Sequence, residues 1–180
     1  IILNIGDELY RDIAMLQFGT GARARGIITL QEQNLDMDYS QTAIRIMLKE
    51  KGGKEHFTFL SQEFAHVLKK YIKGDGGFLF LKSALNHADE PEIDTAVNTI
   101  RTYYYKKLRK SAAELNIERF GTHDFRRNVA EIIKKKSKGD IMMVKRVLNH
   151  SSISTTMRYF FDDPTEIKDT ILDHQADLSR

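Results

Sequence analysis

The sequence contains no cysteine, and this absence removes several kinds of chemistry at once. Without thiols the chain has no disulfide scaffold, no thiolate ligand for zinc and no cysteine nucleophile. It also lacks a glycine loop of the Walker type, which would hold the phosphates of a nucleotide. A chain free of cysteine fits a reducing compartment, so we expect a cytoplasmic protein.

Long apolar runs are missing as well. No stretch approaches the roughly 18 consecutive apolar residues that a membrane span needs. The opening Ile1-Ile2-Leu3 is too short for the core of a signal peptide. We therefore expect no membrane partner. Because the chain opens on isoleucine, we also expect it to be part of a longer protein.

Size and charge limit the possibilities without choosing among them. With 180 residues, 41% of them hydrophobic, the chain can bury one core. We predict a single domain, residues 1–180, made of a core over 1–163 and a C-terminal tail over 164–180. The net charge is only +3, but basic residues gather in the stretches 106–110 and 126–138. These stretches permit contact with nucleic acid phosphates, although such runs are also common on solvated helix faces.

The periodicity of apolar residues predicts a mostly α (α+β) fold: a compact helical domain with a small antiparallel β-sheet. Two β-rich runs, 42–48 and 55–60, flank a Lys-Gly-Gly-Lys turn and predict a hairpin with Lys51 at its tip. Predicted helices cover 7–18, Arg23 toward Leu30, 61–72, 92–115, 124–136, 141–148 and a short final segment that reaches Tyr159.

Phosphoryl transfer through a covalent intermediate needs a nucleophilic hydroxyl, cations around the phosphate and an acid for the leaving oxygen. Three segments carry candidates for the hydroxyl and the cations. They are Thr-Gly-Ala-Arg at 20–23, Thr-His-Asp-Phe-Arg-Arg at 122–127 and Leu-Asn-His-Ser-Ser-Ile-Ser-Thr-Thr-Met-Arg-Tyr at 148–159. Arginine suits a phosphate clamp because its planar fork donates two parallel hydrogen bonds. A phenol with a pKa of about 10 serves both as nucleophile and, later, as leaving group.

In this order the segments resemble the arginine, His-x-x-Arg and His-to-Tyr boxes of the tyrosine recombinase (phage integrase) family. The segment Lys-Gly-Gly-Lys-Glu-His-Phe-Thr-Phe-Leu at 51–60 is similar to the hairpin that carries the family's catalytic lysine. The resemblance implies a catalytic domain that cleaves and rejoins DNA through a 3′-phosphotyrosine. It also implies an N-terminal core-binding domain before this segment, double-stranded DNA as partner, a homotetramer on paired DNA sites, and neither a metal nor another cofactor.

The resemblance assigns a role to six residues. Tyr159 is the implied nucleophile, and Lys51 is the implied acid for the 5′ leaving oxygen. His123 is implied as general base or as hydrogen-bond donor, a choice that stays open. The residues implied to bind the scissile phosphate are Arg23, Arg126 and His150.

Several assignments stay open on the sequence. Arg25 competes with Arg23, and both Lys49 and Lys54 compete with Lys51. Gly26 stands where the family usually has an acidic residue that supports its first arginine. Asn149 replaces a glycine that is usual before the second histidine, and both residue types tolerate a left-handed turn.

Other functions remain possible from the residues alone. A type IB topoisomerase uses similar groups but relaxes DNA instead of exchanging strands. A DNA-binding module whose boxes are inactive is an alternative of a different class. A helical interaction domain without enzymatic activity is a third. His123 and His150, together with Asp124, are also candidate metal ligands. Alternatively, the two histidines are ordinary buried side chains.

Overall fold

In the computed structural model of this protein, the described residues are 1–49 and 54–160. Their contacts divide the chain into an N-terminal unit, Ile1–Val129, and a C-terminal unit, Ala130–Arg180. Within the described ranges no helix has both the length and the apolar character that crossing a membrane requires. The predicted tail from 164 lies outside the described residues, and the single-domain organisation stays a prediction.

The N-terminal unit contains four complete helices and the beginning of a fifth. The first, α1, ends at Gly21, whose φ of 67° is in the left-handed region that glycine adopts at little cost. The sequence predicted this helix over 7–18, and the structure extends it by two residues, to Thr20. The helices are α1 Glu8–Thr20, α2 Ala24–Ile28, α3 Ala65–Lys69, α4 Glu90–Glu114 and α5 Thr122–Lys136.

A three-stranded antiparallel sheet carries the predicted hairpin. Its strands are β1 Leu35–Asp36, β2 Ala43–Lys49 and β3 Glu55–Ser61, in the order β1-β2-β3. The two long strands confirm the predicted hairpin. The first strand was not predicted, because two residues are too few to show the alternation typical of a strand. The hairpin tip, including Lys51, lies outside the described residues.

The long helix α4 is the central support of this unit. It begins after Asp89, whose side chain accepts a hydrogen bond from the amide of Glu92 at 3.0 Å. The predicted apolar stripe is confirmed: Val97, Tyr104 and Leu108 are fully buried. Burying an aliphatic or aromatic side chain of this size contributes about 1.5–3 kcal/mol. The stripe therefore fixes α4 against the rest of the core.

The helix predicted over 61–72 is shorter than expected. Ser61 caps it as predicted, because its hydroxyl accepts from the amide of Glu63 at 3.3 Å. A 3₁₀ turn follows, and α3 ends at Lys69. The next two side chains turn back toward α1: Lys70 Nζ and Tyr71 Oη donate to the buried Asp12 at 2.7 and 2.9 Å. Burial and this carboxylate raise the pKa of Tyr71, so the phenol remains a donor.

The C-terminal unit consists of the second half of α5, followed by α6 Ile141–Val147 and α7 Ile153–Met157. Asp140 caps α6 and Ser152 caps α7, each through its side-chain oxygen. Between them Asn149 adopts a φ of 48°, as its residue type allows. The sequence prediction carried the last helix to Tyr159, but α7 ends earlier. The amide of Tyr159 instead donates to the carbonyl of Thr156 at 3.0 Å, which closes a tighter turn.

Candidate active site

Arg23 lies at the start of α2, in a loop that a buried glutamine holds in place. Its backbone is extended, with φ −71° and ψ 145°, and its side chain is half-buried. Gln17, only 1% exposed, donates from Nε2 to the carbonyl of Ala22 at 3.2 Å and to that of Thr122 at 2.8 Å. The same amide therefore joins the first arginine box to the beginning of α5.

The glutamine is itself oriented by Tyr104 of α4. The phenol is fully buried and donates to Gln17 Oε1 at 2.9 Å. Burial raises the pKa of Tyr104, which keeps it protonated and therefore a donor. The flanking Tyr103 and Tyr105 are exposed, so the three successive tyrosines of α4 have different surroundings.

Arg126 is brought to the same loop from α5. It is only 4% exposed, and its Nη1 donates to the carbonyl of Gly21 at 2.8 Å, two residues before Arg23. Burying a guanidinium costs several kcal/mol unless its environment compensates for the lost hydration. His123, one turn earlier on the same helix, is exposed. The structure thus brings the two predicted arginines together in the N-terminal unit.

The neighbouring Arg25 has different partners. Its guanidinium pairs with Asp94, and with Glu90 at 3.0 Å, both on α4. An arginine held by two carboxylates is neutralised and is poorly placed to attract a phosphate. These pairs support Arg23 over Arg25 as the phosphate-binding residue.

Gly26 lies below the end of β2. A Cβ at this position would be 3.9 Å from Leu48 Cδ2 and 3.8 Å from the carbonyl oxygen of Lys49, which is ordinary van der Waals contact. The hairpin therefore packs directly on α2, three residues after Arg23. With glycine here, no carboxylate from this position supports Arg23.

His56 lies close enough to the two arginines for their charges to act on it, and the sequence prediction did not single it out. It is opposite Leu48 in the β2–β3 ladder and shares the inward face of β3 with the buried Thr58 and Leu60. Burial first, and then the positive charges of Arg126 and Arg23, lower the pKa of His56. The alternation of β3 places His56 on the same face as Thr58, so the sequence could have predicted that it points inward. The alternation does not show which residues that face contacts.

The lysine assignment is not decided by the described residues. Lys49 Nζ lies 3.7 Å from Glu55 Oε1. This exposed pair joins the two strands at the end of the ladder next to the turn. Lys54 is exposed. Lys51 lies outside the described residues, so its role as the acid stays a prediction.

In the C-terminal unit, His150 and Tyr159 form a second group. His150 is 4% exposed, and its Nδ1 lies 2.9 Å from Oγ1 of Thr156, which is fully buried. The imidazole stacks on the ring of Tyr159, with centroids 5.9 Å apart and planes 17° from parallel. Because Nδ1 lies at hydrogen-bond distance from the Thr156 hydroxyl, this contact fixes the orientation of the imidazole.

If the chain cleaves DNA, as its resemblance to the tyrosine recombinase boxes implies, we expect Thr156→Val to slow cleavage about tenfold to a hundredfold, because the loss of a buried hydrogen bond costs about 1–3 kcal/mol and releases the imidazole. Single-turnover formation of a covalent protein–DNA adduct measures the rate. Thr156→Ser is the matched control, since it keeps the hydroxyl and should stay close to the wild-type rate. Equal rates for wild type and Thr156→Val, at unchanged melting temperature, would show that Thr156 does not position His150.

Asp124, considered above as a metal ligand, has other partners. Its carboxylate accepts from the amide of Gly121 at 2.8 Å and lies 3.4 Å from Arg127 Nη1. Within residues 1–49 and 54–160, no three or more His, Asp or Glu side chains gather in a way that could hold a metal ion. The carboxylate therefore stabilises the start of α5.

A mostly helical fold with a small antiparallel sheet, two clustered arginines and a His–Tyr pair is the arrangement expected of a tyrosine recombinase catalytic domain. The profile of the phage integrase family matches residues 4–166 of this chain, so the chain belongs to the phage integrase family.

Individual relatives agree with this assignment. Tyrosine recombinase XerA of Pyrococcus furiosus is 24% identical over 152 residues, which cover 83% of this chain and 49% of that protein. The chain spans about half the length of the curated relatives it matches.

Two solved structures show the same fold. One is XerH recombinase in a post-cleavage complex with a palindromic difH substrate, at TM-score 0.71 and 18% identity, covering 94% of this chain and 49% of that one. The other is the catalytic domain of bacteriophage HP1 integrase, at TM-score 0.55 and 19% identity, covering 94% of this chain and 90% of that one.

Proposed function

We propose that this chain is the catalytic part of a site-specific DNA recombinase that cleaves and rejoins strands through a 3′-phosphotyrosyl intermediate on Tyr159. The observation that carries the proposal is the stacking of Tyr159 on the buried His150, 5.9 Å between ring centroids. This contact sets Tyr159 apart from the other six tyrosines of the chain. The activity of the whole protein is part of the same proposal.

In the cleavage step the phenolic oxygen of Tyr159 attacks the phosphorus of a DNA phosphodiester. A new P–O bond forms to the tyrosine, and the bond to the 5′ oxygen of the next nucleotide breaks. Lys51 gives a proton to that oxygen, and the phenolic proton passes to His123 or to solvent. The products are a 3′-phosphotyrosyl strand and a free 5′ hydroxyl.

Rejoining reverses these bonds. The 5′ hydroxyl of a partner strand attacks the phosphotyrosine, and Tyr159 leaves as a phenol. Because the phosphodiester energy is kept in the tyrosyl ester, neither nucleotide nor metal is needed in this scheme. Exchange of partners between the two steps distinguishes a recombinase from an enzyme that relaxes DNA.

The proposed role of the cations is to stabilise the negative charge that builds up on the non-bridging oxygens. Arg23, Arg126 and His150 take this role. The hydrogen bond from Arg126 to the carbonyl of Gly21 and the Gln17 bonds that hold the loop support it, because donors fixed in advance need no reorganisation during reaction.

The proposed partners are double-stranded DNA and further copies of the same protein, as a tetramer on two paired sites. The XerH structure, which contains its difH substrate, supports DNA as the partner of this fold. The proposed action on DNA also implies a cytoplasmic, nucleoid-associated location. Exposed basic side chains on α4, Lys106 and Arg109 among them, offer phosphate contacts.

The proposal is tested with the full-length protein and nicked duplexes that carry its target site, which sequencing of DNA bound by the protein in its host would identify. A nick next to the cleavage point lets the short 5′ fragment diffuse away, so the adduct accumulates. We expect a denaturant-resistant adduct and exchange of strands between two duplexes. An adduct with relaxation but without exchange would indicate a topoisomerase, and binding without any adduct would indicate a non-catalytic module.

We expect Lys51→Ala to slow cleavage of an ordinary duplex about a hundredfold or more, because an alkoxide leaves poorly without an acid. A duplex with sulfur at the bridging 5′ position should restore the rate, since a thiol with a pKa of about 8.5 leaves without protonation. Lys49→Ala and Lys54→Ala are the controls. If one of them shows the loss and the rescue by sulfur, that lysine is the acid and the assignment to Lys51 is wrong.

A further inference from the structure

The inward face of the hairpin places a titratable side chain beside the arginine pair. His56 is the first inward-facing residue of β3 after the hairpin tip, opposite Leu48, and Leu48 packs on the α2 backbone at Gly26. This packing brings the end of the hairpin to the helix that begins at Arg23. The charges that act on His56 are the guanidinium groups of Arg126 and Arg23.

The hydrogen bonding of His56 is incomplete in the protein alone. Its Nδ1 is buried, and no partner for it occurs among residues 1–49 and 54–160. A buried polar atom without a partner costs about 1–3 kcal/mol, and such atoms are rare in folded proteins. A buried imidazole nitrogen without a hydrogen bond, near two guanidinium groups, therefore has an energetic cost in the absence of a ligand.

We propose that His56 is a further phosphate-binding residue of this site: it donates a hydrogen bond to a non-bridging oxygen of the phosphate held by Arg23 and Arg126, and it takes up a proton from solvent when that phosphate arrives. This inference rests on the proposed function. The only covalent bond that forms in this step is the N–H bond of the imidazolium, and its proton comes from water or buffer.

Electrostatics gives the direction of the effect. Without DNA, burial and the two guanidinium groups lower the pKa of His56 below its ordinary value, so the imidazole is neutral at pH 7. A phosphate between the arginines brings negative charge within reach of the ring and favours the imidazolium. Glu55, the nearest carboxylate on the same strand, faces the other side of the sheet and pairs with Lys49.

The two states therefore respond to pH in opposite directions. In the free protein the lowered pKa of His56 contributes stability above about pH 6.5, and this contribution is lost as the pH falls through the folded-state value. In the complex, protonation strengthens phosphate binding as the pH falls. A histidine that only fills space on the sheet would show the first effect but not the second.

The test compares single-turnover adduct formation by full-length wild-type and His56→Gln protein between pH 5.5 and 8.5. Glutamine keeps an N–H donor but does not titrate. We expect the variant to be about tenfold to a hundredfold slower near pH 6, because a charge-assisted hydrogen bond is lost, and nearly equal to wild type near pH 8.5. Thr58→Val, at the next inward position, is the matched control and should keep the wild-type pH profile.

A second measurement leaves His56 intact. In full-length Tyr159→Phe protein, the carbon-13 resonance of the His56 imidazole is titrated with and without the target duplex. The result we expect is a pKa that rises past about 6.5 on binding. A pKa that stays lowered in the complex, or a ratio of wild-type to His56→Gln rates that does not change with pH, would overturn the inference. Absence of any wild-type adduct would instead contradict the proposed function, and the resonance measurement would still decide the role of His56.

Discussion

Tyr159→Phe is expected to abolish the covalent adduct while leaving DNA binding almost unchanged. The substitution removes one oxygen, which is the atom that attacks phosphorus, and keeps the ring that stacks on His150 at 5.9 Å. Tyr159 is only partly buried, so the loss of its hydroxyl leaves no buried polar group without a partner. The measurement is denaturing gel electrophoresis of labelled nicked duplexes after incubation with either protein.

The control for this variant is a tyrosine elsewhere in the chain. Tyr105→Phe removes an exposed hydroxyl that accepts a hydrogen bond from Arg109 at 3.2 Å. It should form the adduct at close to the wild-type rate. If Tyr159→Phe still forms an adduct, the nucleophile is another residue, and the chemistry drawn from the His-to-Tyr segment is wrong.

Arg126→Lys is expected to lower the rate of cleavage about a hundredfold to a thousandfold, with a much smaller loss of DNA affinity. Lysine keeps the positive charge but lacks the fork that bonds the carbonyl of Gly21 and, in the proposed function, also a phosphate oxygen. Removing one donor that stabilises transition-state charge costs about that much in rate in well-studied enzymes. The loss of a single phosphate contact, in contrast, has a small effect on binding. It changes the slope of the logarithm of the binding constant against the logarithm of the salt concentration by only about one.

Arg127→Ala separates this effect from general charge. Arg127 follows directly on α5, but its side chain is 70% exposed and pairs only weakly with Asp124 at 3.4 Å. Its removal should reduce affinity slightly and leave cleavage from the bound state unchanged. If Arg126→Lys loses affinity and cleavage by the same factor, Arg126 serves binding alone and has no transition-state role. Thermal melting of each variant excludes a loss that comes from unfolding.

Local patterns were enough to predict most of the elements of this fold. The apolar stripe of α4 and the alternation of β2 and β3 each report a buried face, and those faces are buried. Caps at Ser61 and the left-handed Asn149 follow from residue type alone. The predicted ends of helices were less accurate where contacts with distant residues decide them. At the end of α3, for example, Lys70 and Tyr71 reach back to Asp12 on α1.

The surroundings of the site depend on contacts that sequence spacing does not encode. Gln17 bonds Thr122 across 105 positions, and Tyr104 bonds Gln17 across 87. The competition between Arg23 and Arg25 could not be resolved locally either, because the carboxylates that pair with Arg25 lie 65 and 69 positions away on α4. His56 was missed for the same reason: its neighbours Arg23 and Arg126 come from separate helices.

The chemical identity of the adduct tests the central claim most directly. Wild-type full-length protein is trapped on a nicked duplex, the DNA is trimmed by nuclease, and the attached peptide is sequenced by mass spectrometry. The proposed function predicts a nucleotide joined through its 3′ phosphate to the phenolic oxygen of Tyr159. Attachment to any other residue, or through a 5′ phosphate, would contradict it.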